Sequence, residues 1–563
     1  MRKYTLIIVF ILLGNCGFSQ NLTMGSLPSE RLFVSTNATS FITGETLHYK
    51  LYFWNSETGN KSAISAVAYI ELVDSNKKIV SRQKASQTNQ TAAGDIFIPS
   101  TLTTGNYKLI AYTNWMLNES RQNFSECDVT IINPFTRTDV SKNFINDTLK
   151  TKIRQYPPAQ EANVFKTNKK AYSTRDKVEL ELPLLSGNFV LSVRKKSSVF
   201  ETITKNPKQF LEEFPKNPIA FQHAFSTIPE IRGELISGKI TPKSPENVNN
   251  RIVALSVLGK NPAFKLVETN AEGKFTFILD QNPGSQDVVV QILDDNRNNL
   301  EFTLDKPVEA NLSALVFPTE IKIGIQDKES IEQRSIASQI ENAYYNLKKD
   351  SIQQTAPALP FYNVAEKVYV LDDFTRFLTI RETITEILKE VDYKKTRKGY
   401  TVFLRKYMAT SAVYGPPLVL VDGLPIFDLN ELFDFPAAGI YKVEIVNDPY
   451  IYGPKTFSGI IHFITKNNDF ELKTNAGYIK KINFTRPSSQ KIHWSPDYAA
   501  ANKNSRIPDY RQQLLWIPEL QLSGKPQTVS FYTSDTAGEY EIILEGFASD
   551  GKPLYQKDYI SVN

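Results

Sequence analysis

The feature that most constrains this chain is the recurrence of short segments of alternating polarity, separated by turn residues. Between Arg31 and Phe135 the predicted strands are Arg31–Ser35, Thr46–Trp54, Ala66–Val73, Ile79–Lys84, Gly94–Ile98, Tyr107–Thr113 and Asp128–Ile132. Thr43-Gly44-Glu45 and Thr104-Gly105-Asn106 supply reversals between them. Successive side chains of a strand point to opposite faces, so Tyr107, Leu109 and Ala111 share a core face. This spacing predicts a β-sandwich. The theme returns from Lys170 to Ser197, where Gly187 turns into Phe189–Val193, and again from Ile231, where Phe275 and Phe277 alternate. The chain reads as a row of β-modules, and 563 residues allow roughly three to five domains.

At the N-terminus, Arg2 and Lys3 precede an apolar run from Leu6 to Leu13, followed by small residues. This is the pattern of a secretory signal peptide, too short to span a membrane. Cleavage is expected near Ser19, and the ending Phe18-Ser19-Gln20 resembles signal peptides of the Bacteroidetes. Lipidation at Cys16 is the alternative, although Asn15 departs from the small residue usual before a lipidated cysteine. The expected location is the periplasm or the outer membrane, with no transmembrane helix in the mature chain.

Composition narrows the function. Two cysteines and four histidines exclude a disulfide-stapled scaffold or a Cys-rich zinc module. An excess of 65 Lys and Arg over 60 Asp and Glu is too slight to imply nucleic-acid binding. Cys127 sits in the strand-like Cys127–Ile131 and reads as a small buried hydrophobe.

Particular residues carry resemblances. The segment from Glu30 to Asn55, with its Gly44-Glu45 turn and aromatic-alternating strand, is similar to the opening of alpha-2-macroglobulin MG2-like domains. Leu102 to Asn118, followed by Ile131–Phe135, looks like their closing strands in Bacteroidetes exported proteins. The thioester segment of true macroglobulins is absent, so covalent protease trapping is not implied. From Ile231 the pattern resembles carboxypeptidase-regulatory-like sandwiches, which are structural appendages. Between Val368 and Lys466, Val421-Asp422-Gly423, the Tyr452-Gly453 loop and the strand from Gly459 through Thr465 resemble the plug of TonB-dependent outer-membrane receptors. Only 97 residues follow Lys466, too few for an outer-membrane barrel, so the resemblance implies a plug without its barrel.

The expected fold class is therefore mainly β: tandem immunoglobulin-like or macroglobulin-like β-sandwiches with one α+β plug-like domain. The expected layout is a signal peptide at 1–19 and β-sandwiches at 20–136, 150–228 and 229–310. A helical connector follows at 311–360, then the plug-like domain at 361–470 and a C-terminal extension with an Ig-like β-module at 471–563. In the connector, Ile331, Ile336, Ile340, Tyr344 and Leu347 lie near helical spacing.

Catalytic motifs are missing: there is no nucleophile elbow, phosphate-binding loop or zincin helix. Ser488-Ser489-Gln490-Lys491 has Ser-x-x-Lys spacing without companion motifs, and Asp294-Asp295-Asn296 lacks the ligand spacing of a calcium loop. His48, His223, His462 and His493 are scattered along the sequence. No catalytic, cofactor-binding or metal-ligating residue is assigned, and no cofactor is expected. Thr148, Ser351 and Thr536 stand in Asp-Ser/Thr-aliphatic triplets that resemble Bacteroidetes O-glycosylation acceptors. The favoured reading is a non-enzymatic interaction or scaffold protein whose plug-like domain binds a protein partner, such as an outer-membrane barrel. Tyr450, Ile451 and Tyr452 are the candidate contact, because tyrosine anchors enrich interfaces. An unrecognised hydrolase and a cell-surface adhesin are the alternatives.

Overall fold

The computed structural model describes residues 28–119, 123–136, 165–197, 204–214, 226–259, 262–280, 286–318, 321, 323, 327–352, 359–397, 399–406, 414–488, 490–499 and 506–563. The signal-peptide segment with Cys16, the acceptor Thr148 and His223 lie outside them. Four β-rich domains make up the described chain.

The first sandwich packs two sheets over one core. Its central strand, Thr46–Asn55, explains much of the architecture. Leu47, Tyr49, Leu51 and Phe53 turn inward, while Lys50, Tyr52 and Trp54 on the opposite face are also buried. A strand covered on both faces needs a second domain outside it. Tyr107 donates its hydroxyl to Thr103 O (2.8 Å), a corner that fixes the start of strand Gly105–Tyr112. Cys127 is buried, and burial pushes its thiol up to about 12, which leaves it inert.

The covering domain corrects the expected layout. Ser186–Lys195 lies between Gln513–Ser523 and Gly538–Ala548 in one five-stranded sheet, and Lys177–Glu181 pairs with Thr528–Tyr532 in the facing sheet. The segments expected to be separate modules at 150–228 and 471–563 thus build a single sandwich. Neither segment carries enough strands to close a core alone, and their pooled side chains share one. Tyr540 repeats the corner motif, donating to Thr536 O (2.8 Å).

The third sandwich packs Lys274–Asp280, Gly233–Pro242 and Leu300–Leu304 against a sheet centred on Ile252–Val257 and Asp287–Ile292. The fourth domain is α+β. Its sheet runs Lys367–Val370, Ile440–Val446, Ile460–Thr465, Leu418–Val421, Leu424–Pro425, with one parallel pair between Leu418–Val421 and Ile460–Thr465. Helices Ile380–Glu386 and Leu429–Phe433 contribute to the core on one face. The other face packs on the third sandwich through Leu418, Leu420, Phe457 and Ile460 against Ala254, Phe264 and Leu266.

After Lys466 the chain runs back along the molecule. Ile479–Asn483 adds a strand to the third sandwich beside Asp287–Ile292, and Pro487–Ser488 adds one to the first beside Ile79–Ser86. Lys491–Ile492 pairs with Ser351–Ile352, and Gln513 then enters the second sandwich.

The expected connector helix forms as Lys328–Ala343, but its buried face differs from the apolar spacing. Arg334, Ser335, Ala337 and Ser338 are buried, whereas Ile336 is exposed. The face is polar because it grips a turn: Arg334 holds Glu45 through Nε (3.0 Å) and Nη2 (2.6 Å), and Asn342 donates to Gly44 O (3.0 Å). No helix among the described residues is long and apolar enough to cross a membrane.

Candidate functional site

The residues singled out in the plug-like domain form a packed lock. Asp422 adopts positive φ (49°) and is buried. Its carboxylate accepts from Thr465 N (2.8 Å), Thr465 Oγ1 (2.6 Å) and Phe470 N (3.1 Å), tying the turn to the end of the neighbouring strand. Gly423 N donates to His462 Nε2 (2.9 Å), whose Nδ1 lies 2.7 Å from Tyr362 Oη. Burial drives His462 down to about 4, so it stays a neutral acceptor. Val421 is fully buried in the core. At Gly459 an added Cβ would sit 2.4 Å from Val446 O, so the close passage needs glycine. Gly453 brings the aromatic loop against Leu266 of the third sandwich.

That loop is spent internally, against expectation. Tyr452 donates to Phe264 O (2.5 Å) and stacks on the Phe264 ring, and Tyr450 donates to Phe361 O (3.0 Å). Only Ile451, 75% exposed, faces outward. The tyrosine rings turn toward the third sandwich because its apolar surface offers both area and carbonyl acceptors. Of the acceptor residues, Ser351 is exposed, whereas the Thr536 hydroxyl is buried and without a partner, which removes it as a modification site. Asp294 is committed to Arg251 (2.7 Å), and the described residues hold no cluster of three or more metal-ligating side chains.

A cleft that no local motif marks lies where the first and second sandwiches meet the connector helix and the returning segment, with a volume of about 940 Å³. Four stretches wall it: Asn37 to His48, Ala93 to Phe97, Ala337 to Asp350, and Gln490 to Glu519. Two histidines far apart in sequence meet here. The His48 ring stacks on Trp516 (5.7 Å between centroids) and meets His493 edge-on (4.6 Å). His493 Nδ1 lies 3.0 Å from Asp350 Oδ2, and Trp494 N donates to Asp350 Oδ1 (2.8 Å). Burial works against ionisation of Asp350, but the bonds from His493 and Trp494 N prevail and hold it below its ordinary value. Burial, helped by His493, pushes His48 well below 6.5 and keeps it neutral. Lys348 lies over the Trp494 ring (5.6 Å) and donates to Glu341 (2.7 Å).

Beside this cluster the two sandwiches interlock. The ladder between Ser186–Lys195 and Gln513–Ser523 is irregular between Phe189 and Leu191, where Lys50 of the first sandwich bonds Pro518 O and Asn188. Lys50 is fully buried, which lowers it to about 8, with Glu519 3.4 Å away as its counter-charge. Ser35 bonds Glu545, whose burial raises it to about 7.

The mouth of the cleft is apolar. Phe97, Tyr345, Leu347, Ile352, Ile492 and Tyr510 are all exposed around it, from 36% for Tyr510 to 62% for Ile352. Bond geometry gathers several of them: Ile352 and Ile492 lie on paired strands, and Tyr510 N donates to Glu341 (2.6 Å) on the connector helix. Sequence reasoning missed this site because its walls are hundreds of residues apart. The polar–aromatic run from His493 through Trp516 was the one local signal.

No protein-family model matches the chain, and no curated protein does. Among solved structures, Escherichia coli alpha-2-macroglobulin activated by porcine elastase is 9% identical, with 95% of this chain and 44% of that chain covered and a TM-score of 0.24. A tetra-tandem repeat in the extending region of a large adhesion protein is 11% identical, covering 49% of this chain and 74% of the other at a TM-score of 0.14. The Escherichia coli adhesin FdeC is 9% identical, covering 47% and 60% at 0.15. The chain thus spans less than half of the macroglobulin it matches, and the fold assignment rests on the sheets described above.

Proposed function

We propose that this chain is a non-enzymatic, exported interaction protein that presents the junction cleft to a protein partner. The observation that carries the reading is the mouth of the cleft, where six large apolar side chains stand exposed around one concavity. Such gatherings mark interaction surfaces, because single exposed apolar residues are ordinary and clustered ones are costly. The histidines and carboxylates of the cleft are engaged with one another, which suits a rigid binding floor better than acid–base chemistry. Export is supported by Arg2, Lys3 and the apolar run from Leu6 to Leu13.

The test is capture from periplasmic and outer-membrane fractions with the wild-type chain and with Tyr345→Ser/Ile492→Ser, which alters only exposed positions. A partner retained by the wild type and lost from the double variant is expected; equal recovery refutes the cleft as the site. A second reading keeps the partner on the plug-like domain. Its support is the edge strand Lys367–Val370, which pairs on one side only and leaves Val368 half-exposed. Val368→Asp would abolish capture under that reading and leave it intact under the first.

A further inference from the structure

We infer that the cleft takes an extended, uncharged peptide segment, held by a backbone amide against Trp516 and Glu519 and by apolar side chains at the mouth. This rests on the interaction reading above and specifies its ligand.

Charge comes first. The ionised groups of the cleft are matched within the protein: Asp95 with Lys491 (2.7 Å), Glu341 with Lys348 (2.7 Å), Glu45 with Arg334 (2.6 Å), and Asp350 with His493 (3.0 Å). A charged ligand would have to break one of these pairs; a neutral one would not. Three polar atoms of the same lining stand apart. His48 Nδ1, Trp516 Nε1 and Glu519 Oε1 are buried and make no hydrogen bond within the protein. Trp516 itself is only 5% exposed. An unpaired buried donor or acceptor costs about 1–3 kcal/mol, so these atoms are the ones a bound group would most relieve. The indole offers only a donor and the carboxylate only an acceptor. A peptide unit supplies both complements, C=O for the first and N–H for the second.

Shape favours an extended segment. Gln513 to Glu519 lines one wall, and the strand it belongs to, Gln513–Ser523, has Ser186–Lys195 on one side only. At ~3.3 Å per residue, that run is roughly 20 Å long, the span of about six extended residues. The mouth argues against a sugar, since Leu347, Ile352 and Ile492 are aliphatic. The carboxamide of Gln513 is already taken by Asn37 (3.1 Å) and Ser192 (2.9 Å).

The experiment uses the full chain and a set of end-blocked hexapeptides, alternating threonine with leucine, valine, phenylalanine or tyrosine. Each is made with ordinary and with N-methylated backbone amides, and binding is read by fluorescence anisotropy. At least one ordinary peptide should bind, its N-methylated form should bind roughly tenfold more weakly, and maltohexaose should not compete. Trp516→Phe, which removes the indole N–H and keeps an aromatic ring, should weaken binding about fivefold with the thermal midpoint unchanged. Ile492→Ser, at an exposed position, serves as the second variant and should weaken the same peptide. Binding by no peptide, equal binding of the N-methylated form, or competition by the sugar overturns the inference. Partner capture that depends on Tyr345 and Ile492 but not on backbone methylation sinks the peptide inference alone. Loss of that dependence sinks the interaction reading with it.

Discussion

Two domain seams in this molecule are built from opposite materials. Between the third sandwich and the plug-like domain the contact is largely apolar, with Phe264, Leu266, Leu418, Leu420, Phe457 and Ile460 closing on one another. Between the first and second sandwiches, an aromatic patch of Phe33, Tyr52, Trp54 and Phe547 adjoins sealed-in ionisable groups: Lys50, Glu519 and Glu545. The first kind of seam is non-directional and indifferent to protonation. The second is selective in register, because Lys50 must find Pro518 O and Asn188, and it is sensitive to pH. The cleft opens beside the polar seam, so the domain arrangement that shapes it rests on the more conditional of the two contacts.

The largest effect should come from the apolar seam. Phe264→Ala removes a ring that meets Phe361 (5.2 Å) and Tyr452 (5.7 Å), and should cost about 3–5 kcal/mol in urea unfolding. That cost should be the same at pH 5 and pH 8; a pH-dependent loss would erase the contrast.

Glu545 tests the polar seam. Its folded-state value near 7 lies above the ordinary 4.5, so the folded protein holds the proton more tightly than the unfolded chain. The associated stability is complete below about 4.5 and is lost as pH rises through 7. Wild-type stability should therefore fall by roughly 2–3 kcal/mol between pH 4.5 and 8 from this group, at about 1.4 kcal/mol per pH unit of displacement. Glu545→Gln should flatten that part of the profile, leaving the variant the more stable protein at pH 8 and no better at pH 4.5. Thermal midpoints of both proteins across that range check it.

Ile451→Ser should do least. Its side chain is exposed at the tip of the loop whose tyrosines are engaged, so the change in stability should stay within about 0.5 kcal/mol. A larger loss would mean that the loop tip, as well as Tyr450 and Tyr452, contributes to the apolar seam.

Much of the strand pattern could be read locally, because alternation is a property of neighbouring residues. Thr46–Asn55 is the clearest case: Leu47, Tyr49, Leu51 and Phe53 declare one face. The other face, His48, Lys50, Tyr52 and Trp54, was also legible in principle, since two consecutive large aromatics facing outward imply a cover. What lay beyond local reading was the identity of that cover. Ser186–Lys195 takes its sheet neighbours from more than three hundred residues downstream, and nothing in either segment's alternation encodes which strand pairs with which. The Asp422-Gly423 reversal was visible in the same way, whereas the grip of Asp422 on Thr465 and Phe470 depends on the assembled sheet. The cleft follows the same rule, being a property of the junction and of no single stretch.

The returning segment has a consequence for how the molecule comes into being. Because Ile479–Asn483, Pro487–Ser488 and Gln513–Ser523 complete three earlier domains in turn, none of those sheets has its full set of strands until the last sixth of the chain has emerged. Domains ordinarily fold as units, N-terminal first, during synthesis, but here the earlier ones stay open-edged until the end. Contacts of such long sequence separation also slow folding. A ribosome that stops early would release a product with three unfinished sheet edges, the kind of surface from which aggregation starts.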